Sequence, residues 1–147
     1  MNTPITAILD RKGCRVFQVA PSASVAEAVA EMNRQKVGSV LVLESGRLVG
    51  IFTERDVLRR VVGAGLDPTK TPVTDVMTSG VQTITPATTI EETLVLFTEK
   101  RFRHLPVLDA GRLAGTISIG DVTRWMADEN RAEAEHLKNY ITSGFSA

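Results

Sequence analysis

VFQVAPSASVAEAVAEMNRQKVGSVLVLESGRLVGIFTERDVLRRV (Val16–Val61) and VQTITPATTIEETLVLFTEKRFRHLPVLDAGRLAGTISIGDVTRWM (Val81–Met126) are two copies of one unit. The offset that aligns Val16 with Val81 holds to the end without a gap. It places Pro21 on Pro86, Glu27 on Glu92, Gly46-Arg47-Leu48 on Gly111-Arg112-Leu113, and Gly50 on Gly115. Asp56-Val57 falls on Asp121-Val122, and Arg59 on Arg124. Turn glycines, polar caps and apolar columns survive together, so the chain is read as one module with a pseudo-twofold axis and two related clefts.

Each copy spells the same order of elements. Val16–Ala20 is a short strand stopped by Pro21, and Ser24-Val-Ala-Glu27 is a helix-opening capping box that Thr89-Ile-Glu-Glu92 repeats. Behind the boxes, Val25, Ala28, Val29 and Met32, or Ile90, Leu94 and Phe97, fall on one helical stripe. Ser39–Leu43 and Leu105–Leu108 are apolar enough for buried strands. The glycine-bearing turns Glu44–Arg47 and Asp109–Arg112 then fold each into a hairpin. The returning strands, Leu48–Phe52 and Leu113–Ile117, run into a second helix opening at Thr53 or Ser118. The fold class is α+β: two βαββα repeats about a pseudo-twofold axis, plus a C-terminal helix. The divisions are an N-terminal arm (1–15), repeat one (16–63), a linker with a short helix (64–78), repeat two (79–127), and a C-terminal helix and tail (128–147). Thr71-Pro72 supplies a cap and a first-turn proline for the linker helix. Ala134, Leu137 and Ile141, with Tyr140 close by, form a stripe on the last helix, suited to packing on its own module or to a dimer contact.

Bulk chemistry excludes several classes. The 147 residues carry 17 Lys and Arg against 17 Asp and Glu, so no net field draws the chain to nucleic acid or an anionic membrane. No apolar run approaches the roughly 20 residues of a membrane span. The start, MNTPITAILDRKG, lacks the long apolar core of a secretion signal. One cysteine, Cys14, makes no internal disulfide. The expected location is cytoplasmic. Cys14 reads as an incidental thiol and Trp125 as a packing residue.

Chemistry should concentrate where both copies spend the same polar residues, at Thr53-Glu-Arg-Asp56 and Ser118-Ile-Gly-Asp121. A hydroxyl at a helix cap and a carboxylate three residues later suit the two hydroxyls of a ribose, while the helix start favours an anion. The same spacing is also an ordinary capping box, and the two readings are compatible. His104, Ser118 and Asp121 make no credible catalytic triad, since copy one has Ser39 in the place of His104. Two histidines and one cysteine give no metal set, and Gly63-x-Gly65 follows a helix and lacks a third glycine. The chain is read as a binding module, not an enzyme, with no catalytic cofactor.

The ordered pattern Gly-φ-x-Thr/Ser-x-x-Asp-φ, preceded by a hairpin and a capped helix and then repeated, resembles the cystathionine-β-synthase (CBS) domain. Two in tandem resemble a Bateman module. Val73-Thr-Asp-Val-Met77-Thr78 is similar to the segment that often leads into such a copy. Ile8–Gly13, Arg101–Pro106 and Glu133–Tyr140 resemble a stand-alone bacterial subgroup. The resemblance implies a regulatory module that binds adenosine-containing ligands between its halves: AMP, ADP, ATP or S-adenosylmethionine, with NAD(H) as a further candidate. It implies ribose contacts at Thr53 and Asp56 and at Ser118 and Asp121. Base contacts are implied at Thr83, Ile84 and Thr85 and from Arg103 to Pro106 in repeat two, and at Gln18, Val19, Ala20, Gly38, Ser39 and Val40 in repeat one. Arg103 and His104 are implied as phosphate contacts, and a homodimer acting on an effector protein is implied as the assembly.

The copies differ in charge. Repeat two brings Arg101, Arg103 and His104 to its second-strand entry, where repeat one brings Lys36, Gly38 and Ser39. Repeat two is therefore expected to hold the better phosphate site. Arg55 either compensates across the axis or is a solvated helix-start charge, and Arg11 and Lys12 either fold over a cleft or belong to a disordered basic arm. The competing function is a ligand-free interaction module.

Overall fold

Ser45 and Gly46 both adopt positive φ, as do Ala110 and Gly111 (51° and 81° in each pair), so each hairpin closes through a two-residue turn of the type whose twist matches paired strands. The computed structural model describes residues 3–100 and 102–145. In chain order it contains α1 (Thr6–Lys12), β1 (Gln18–Val19), α2 (Val25–Gln35), β2 (Ser39–Glu44) and β3 (Arg47–Thr53). Next come the short α3 (Glu54–Asp56), continued by a π-helical stretch (Val57–Val62), and a 3₁₀ turn (Val73–Asp75). α4 (Ile90–Lys100), β4 (His104–Asp109), β5 (Arg112–Ser118) and α5 (Ile119–Phe145) complete the chain.

The two hairpins share one register. Ser39 pairs with Thr53 as His104 pairs with Ser118, and both ladders slip once, between Val42 and Leu43 and between Val107 and Leu108. The helices are capped where read, with Glu27 N–H donating to Ser24 Oγ and Glu92 N–H to Thr89 Oγ1, each at 3.1 Å, which is the hydroxyl half of each box. The first strands differ. β1 runs parallel to β2 through Gln18–Leu41 and Val19–Val42, whereas repeat two keeps only a bridge between Ile84 and Val107. Pro106 stands where repeat one has Leu41, whose N–H donates to Phe17 O, and a proline has no N–H to make the matching bond.

Each repeat has its own core. Val25, Ala28, Met32, Val40, Val42 and Phe52 bury together in repeat one. Ile84, Ile90, Phe97, Leu105, Val107, Ile117 and Val122 do so in repeat two, with Trp125 packed against them.

The segments that precede the repeats cross over. Val73 and Val76, at the end of the linker, complete the core of repeat one. Ile5, Ile8 and Leu9, at the start of the chain, complete the core of repeat two. The docking bonds match: Val25 N–H donates to Thr71 O and Val73 N–H to Ala23 O, while Ile90 N–H donates to Thr3 O and Ile5 N–H to Thr88 O. The segment read as an arm is therefore a helix seated in a core, not a disordered tail. The signal lay in Thr3-Pro-Ile-Thr6 against Thr71-Pro-Val-Thr74, a second repeat at a different offset. Ile8 and Leu9 bury one face of α1, and Lys12, four and three residues further on, falls on that same face.

The last helix is continuous: α5 begins at the repeat-two motif and runs on through the segment read as a separate terminal helix. Arg101 and the side chains of Leu137, Tyr140 and Ile141 lie outside the described residues. No helix among the described residues is long and apolar enough to cross a membrane.

Candidate functional site

At the end of β3 the chain turns straight into a helix, and a reciprocal capping box makes that turn. Asp56 N–H donates to Thr53 Oγ1 (3.3 Å), and Thr53 N–H and its hydroxyl donate to Asp56 Oδ2 (3.0 and 3.3 Å). The box recurs in repeat two, where Ser118 N–H donates to Asp121 Oδ2 (2.9 Å) and Asp121 N–H to Ser118 Oγ (3.1 Å). The strand-entry backbone adds one more bond to each turn: Glu54 N–H reaches Gly38 O, and Ile119 N–H reaches Arg103 O. Each motif is thus fixed by its own repeat.

The side chains at the strand entries face the other repeat, and this makes two clefts. The first, about 240 Å³, sets Thr53, Arg55 and Asp56 of repeat one opposite Arg103 and His104 of repeat two. Glu54, Arg59, Arg60, Ile51, Val81 and Phe102 are also part of its wall. The second, about 400 Å³, sets Ser118, Asp121 and Thr116 of repeat two opposite Gly38 and Ser39 of repeat one. Lys12, Arg15 and Phe17 complete it, and His104 borders both clefts. Each cleft thus draws residues from both repeats, where the sequence reading grouped them by repeat. Arg103 lies with Thr53 and Asp56 across the axis, not with Ser118 and Asp121. The basic strand entry of repeat two serves the motif of repeat one.

Several expected base contacts line neither cleft. Thr83, Ile84 and Thr85 border a separate open depression with Thr88, Val95 and Leu96. Gln18 and Val19 lie in β1, and Ala20 lies just beyond it. Val40 and Pro106 are buried in β2 and β4.

Charge separates the two motifs. Asp56 is only 7% exposed, with Arg60 Nε 3.7 Å from its Oδ1. Arg60 Nη1 also donates to the carbonyls of Val76 and Met77 (3.2 and 3.0 Å). Arg59 and Arg60, three and four residues beyond Asp56, return to the same face by helical spacing alone. Asp121 instead meets a residue from the far end of the chain: Lys12 Nζ donates to Asp121 Oδ2 and to Thr116 O, each at 2.7 Å. Burial pushes the Asp121 carboxyl up, but the bonds from Lys12 and Ser118 and the lysine charge together hold it below the usual carboxylate range. Burial pushes His104 down from its ordinary value, and Lys12 and Arg103 add to this against the opposing pull of Glu54 and Asp121. Among the described residues no group of His, Cys, Asp and Glu is arranged to hold a metal ion.

Such a molecule is a tandem-repeat module with paired ligand-sized clefts between its halves. The CBS domain family model matches residues 5–63 and 73–128, and the chain belongs to that family. It is 38% identical over 127 residues to CBSX3, a mitochondrial CBS domain-containing protein of Arabidopsis thaliana, covering 83% of this chain and 62% of that one. The chain thus spans less than two thirds of that relative's length. A solved structure of a CBS-domain containing protein of Agrobacterium tumefaciens superposes with a TM-score of 0.81 at 40% identity, over 84% of this chain and 99% of that one. CBSX2 in complex with AMP superposes with a TM-score of 0.66 at 28% identity, over 87% and 93%.

Proposed function

We propose that the chain is a regulatory module whose first cleft binds an adenine nucleotide of the AMP type, rather than a catalyst. The reading is carried by one observation: that cleft sets the Thr53–Asp56 hydroxyl–carboxylate pair of one repeat against guanidinium groups drawn from both repeats. Thr53 and Asp56 take the ribose hydroxyls. Arg103, with its planar fork of donors, takes the phosphate beside Arg59 and His104. Ile51, Val81 and Phe102 offer apolar contact to the base. AMP bound to CBSX2 supports the ligand class. ADP, ATP and NAD(H) contain the same AMP moiety and compete for the same groups. The signal passes to an effector protein, or through pairing of two chains on the exposed Leu58 and Val62, one helical turn apart. The location we propose is cytoplasmic.

The satisfied capping boxes favour a second reading, a ligand-free interaction module in which Asp56 and Asp121 serve only as caps. Thermal unfolding of ligand-stripped protein separates the two. A nucleotide at 100 times its dissociation constant adds about 2.7 kcal/mol, a rise of several degrees at this size. Arg103→Ala should weaken AMP by roughly tenfold or more and adenosine hardly at all, because only AMP has the charged acceptor. Flat curves with AMP, ADP, ATP and NAD(H) would leave the interaction module standing.

A further inference from the structure

Counting three residues on from the matched core positions Leu9 and Met77 reaches Lys12 in one lead segment and Gly80 in the other. Gly80 borders the first cleft and brings no side chain to it. Lys12 borders the second and brings an ammonium. The N-terminal lead is also the longer one, with three extra residues between its core segment and the repeat, and that length lets α1 run on to Lys12 before Gly13 ends it. The two clefts are related by the repeat, and this residue is one of the differences between them.

Resting on the nucleotide reading above, we propose that Lys12 sets the ligand stoichiometry of the module: it closes the second cleft to adenosine ligands and leaves the first as the nucleotide site. The ammonium stands 2.7 Å from the Asp121 carboxylate, the group that corresponds to the ribose acceptor Asp56. A second bond, to Thr116 O on β5, fixes it there. A ribose hydroxyl donating to a carboxylate also makes a charge-assisted bond, but it brings no positive charge to replace the ammonium. A nucleotide entering the second cleft must therefore part a carboxylate from an ammonium and replace their contact with a weaker one. In the first cleft the nearest recorded cation to Asp56, Arg60, stands farther off at 3.7 Å and spends its Nη1 on backbone carbonyls. The phosphate side reinforces the difference, since Arg103, Arg55 and Arg59 border the first cleft beside Glu54, whereas in the second Lys12 is paired to Asp121 and leaves Arg15.

Calorimetric titration of the full chain with AMP tests the proposal. Wild type should bind one AMP per chain, and Arg103→Ala should remove that site or weaken it by roughly tenfold or more. Lys12→Met and Lys12→Gln should each bind two. Adding Asp121→Asn to either should return the count to one. The lysine variants are checked for a cooperative melt, and two of them are used so that misfolding of one leaves the other to report. Two AMP per wild-type chain, or one per folded lysine variant, overturns the closure while leaving the nucleotide reading intact. A single wild-type site that survives Arg103→Ala overturns the assignment of clefts. No AMP bound by any variant overturns the nucleotide reading and this proposal with it.

Discussion

His104 sits where the two clefts meet, and its burial couples its protonation to the stability of the module. Glu54 from α3, Asp121 from α5, Lys12 from α1 and Arg103 from the adjoining strand entry all bear on it, yet burial dominates and holds its value below the ordinary 6.5. As pH falls below about 6.5 the unfolded chain takes up a proton that the folded chain still refuses, so stability falls until the folded value is passed. Asp121 acts lower down. Its folded value lies below the ordinary 3.8, so its contribution is present above 3.8 and is lost as pH falls through the folded value. His104→Gln should flatten the upper part of the stability profile and leave the acid limb in place. Urea midpoints measured between pH 7.5 and the acid limb would show it, and unchanged slopes near pH 6 would count against this account. At this scale the sequence was legible where partners are close along the chain. Thr53 with Asp56 and Ser118 with Asp121 could be read from spacing. Lys12 with Asp121 could not, since 109 positions separate them and neither sequence window refers to the other.

Hairpins and capped helices were legible for the same reason: a two-residue turn or a four-residue box is complete within its own window. The first strand of repeat two was not, because Pro106 in the place of Leu41 has no N–H for the ladder. The packing of the lead segments onto the third strands belongs to this scale too. A methyl group built on Gly50 would lie 2.3 Å from Met77 Sδ and 3.0 Å from its Cγ, and one on Gly115 would lie 2.8 Å from Leu9 Cδ2. Both strand glycines are therefore sites where a lead segment presses against the sheet, and the copied Gly of the repeat has a packing role that motif reading alone would assign to the ligand. Gly50→Ala should cost about 1–3 kcal/mol through overpacking. Met77→Ala in the same chain should recover part of that loss, with a coupling of about 0.5–3 kcal/mol. Chemical denaturation of the four members of the cycle measures it. Additive losses would mean that the contact does not constrain Gly50.

The exchange of lead segments ties the repeats into one molecule. Thr3–Leu9 precedes repeat one and completes repeat two; Thr71–Met77 precedes repeat two and completes repeat one. Linear division of the chain cuts through both cores, which is why boundaries drawn from the longer repeat describe sequence units rather than independently packed bodies. Ile5 and Val73 are the matched anchors, and both are fully buried. Ile5→Ala should cost about 2–5 kcal/mol, a large share of the roughly 5–15 kcal/mol that holds a domain folded. Its location is the sharper test, because local opening free energies differ between cooperative units. Hydrogen exchange of Ile5→Ala should lose protection first in β4 and β5, around Leu105–Val107 and Ile117, and less in β2 and β3, although the mutation lies nearer to repeat one along the chain. Val73→Ala should give the reverse pattern. Protection lost equally across both repeats by either variant would mean that the cores open as one unit. Loss confined to repeat one in Ile5→Ala would overturn the crossing itself, and with it the route by which Lys12 reaches Asp121.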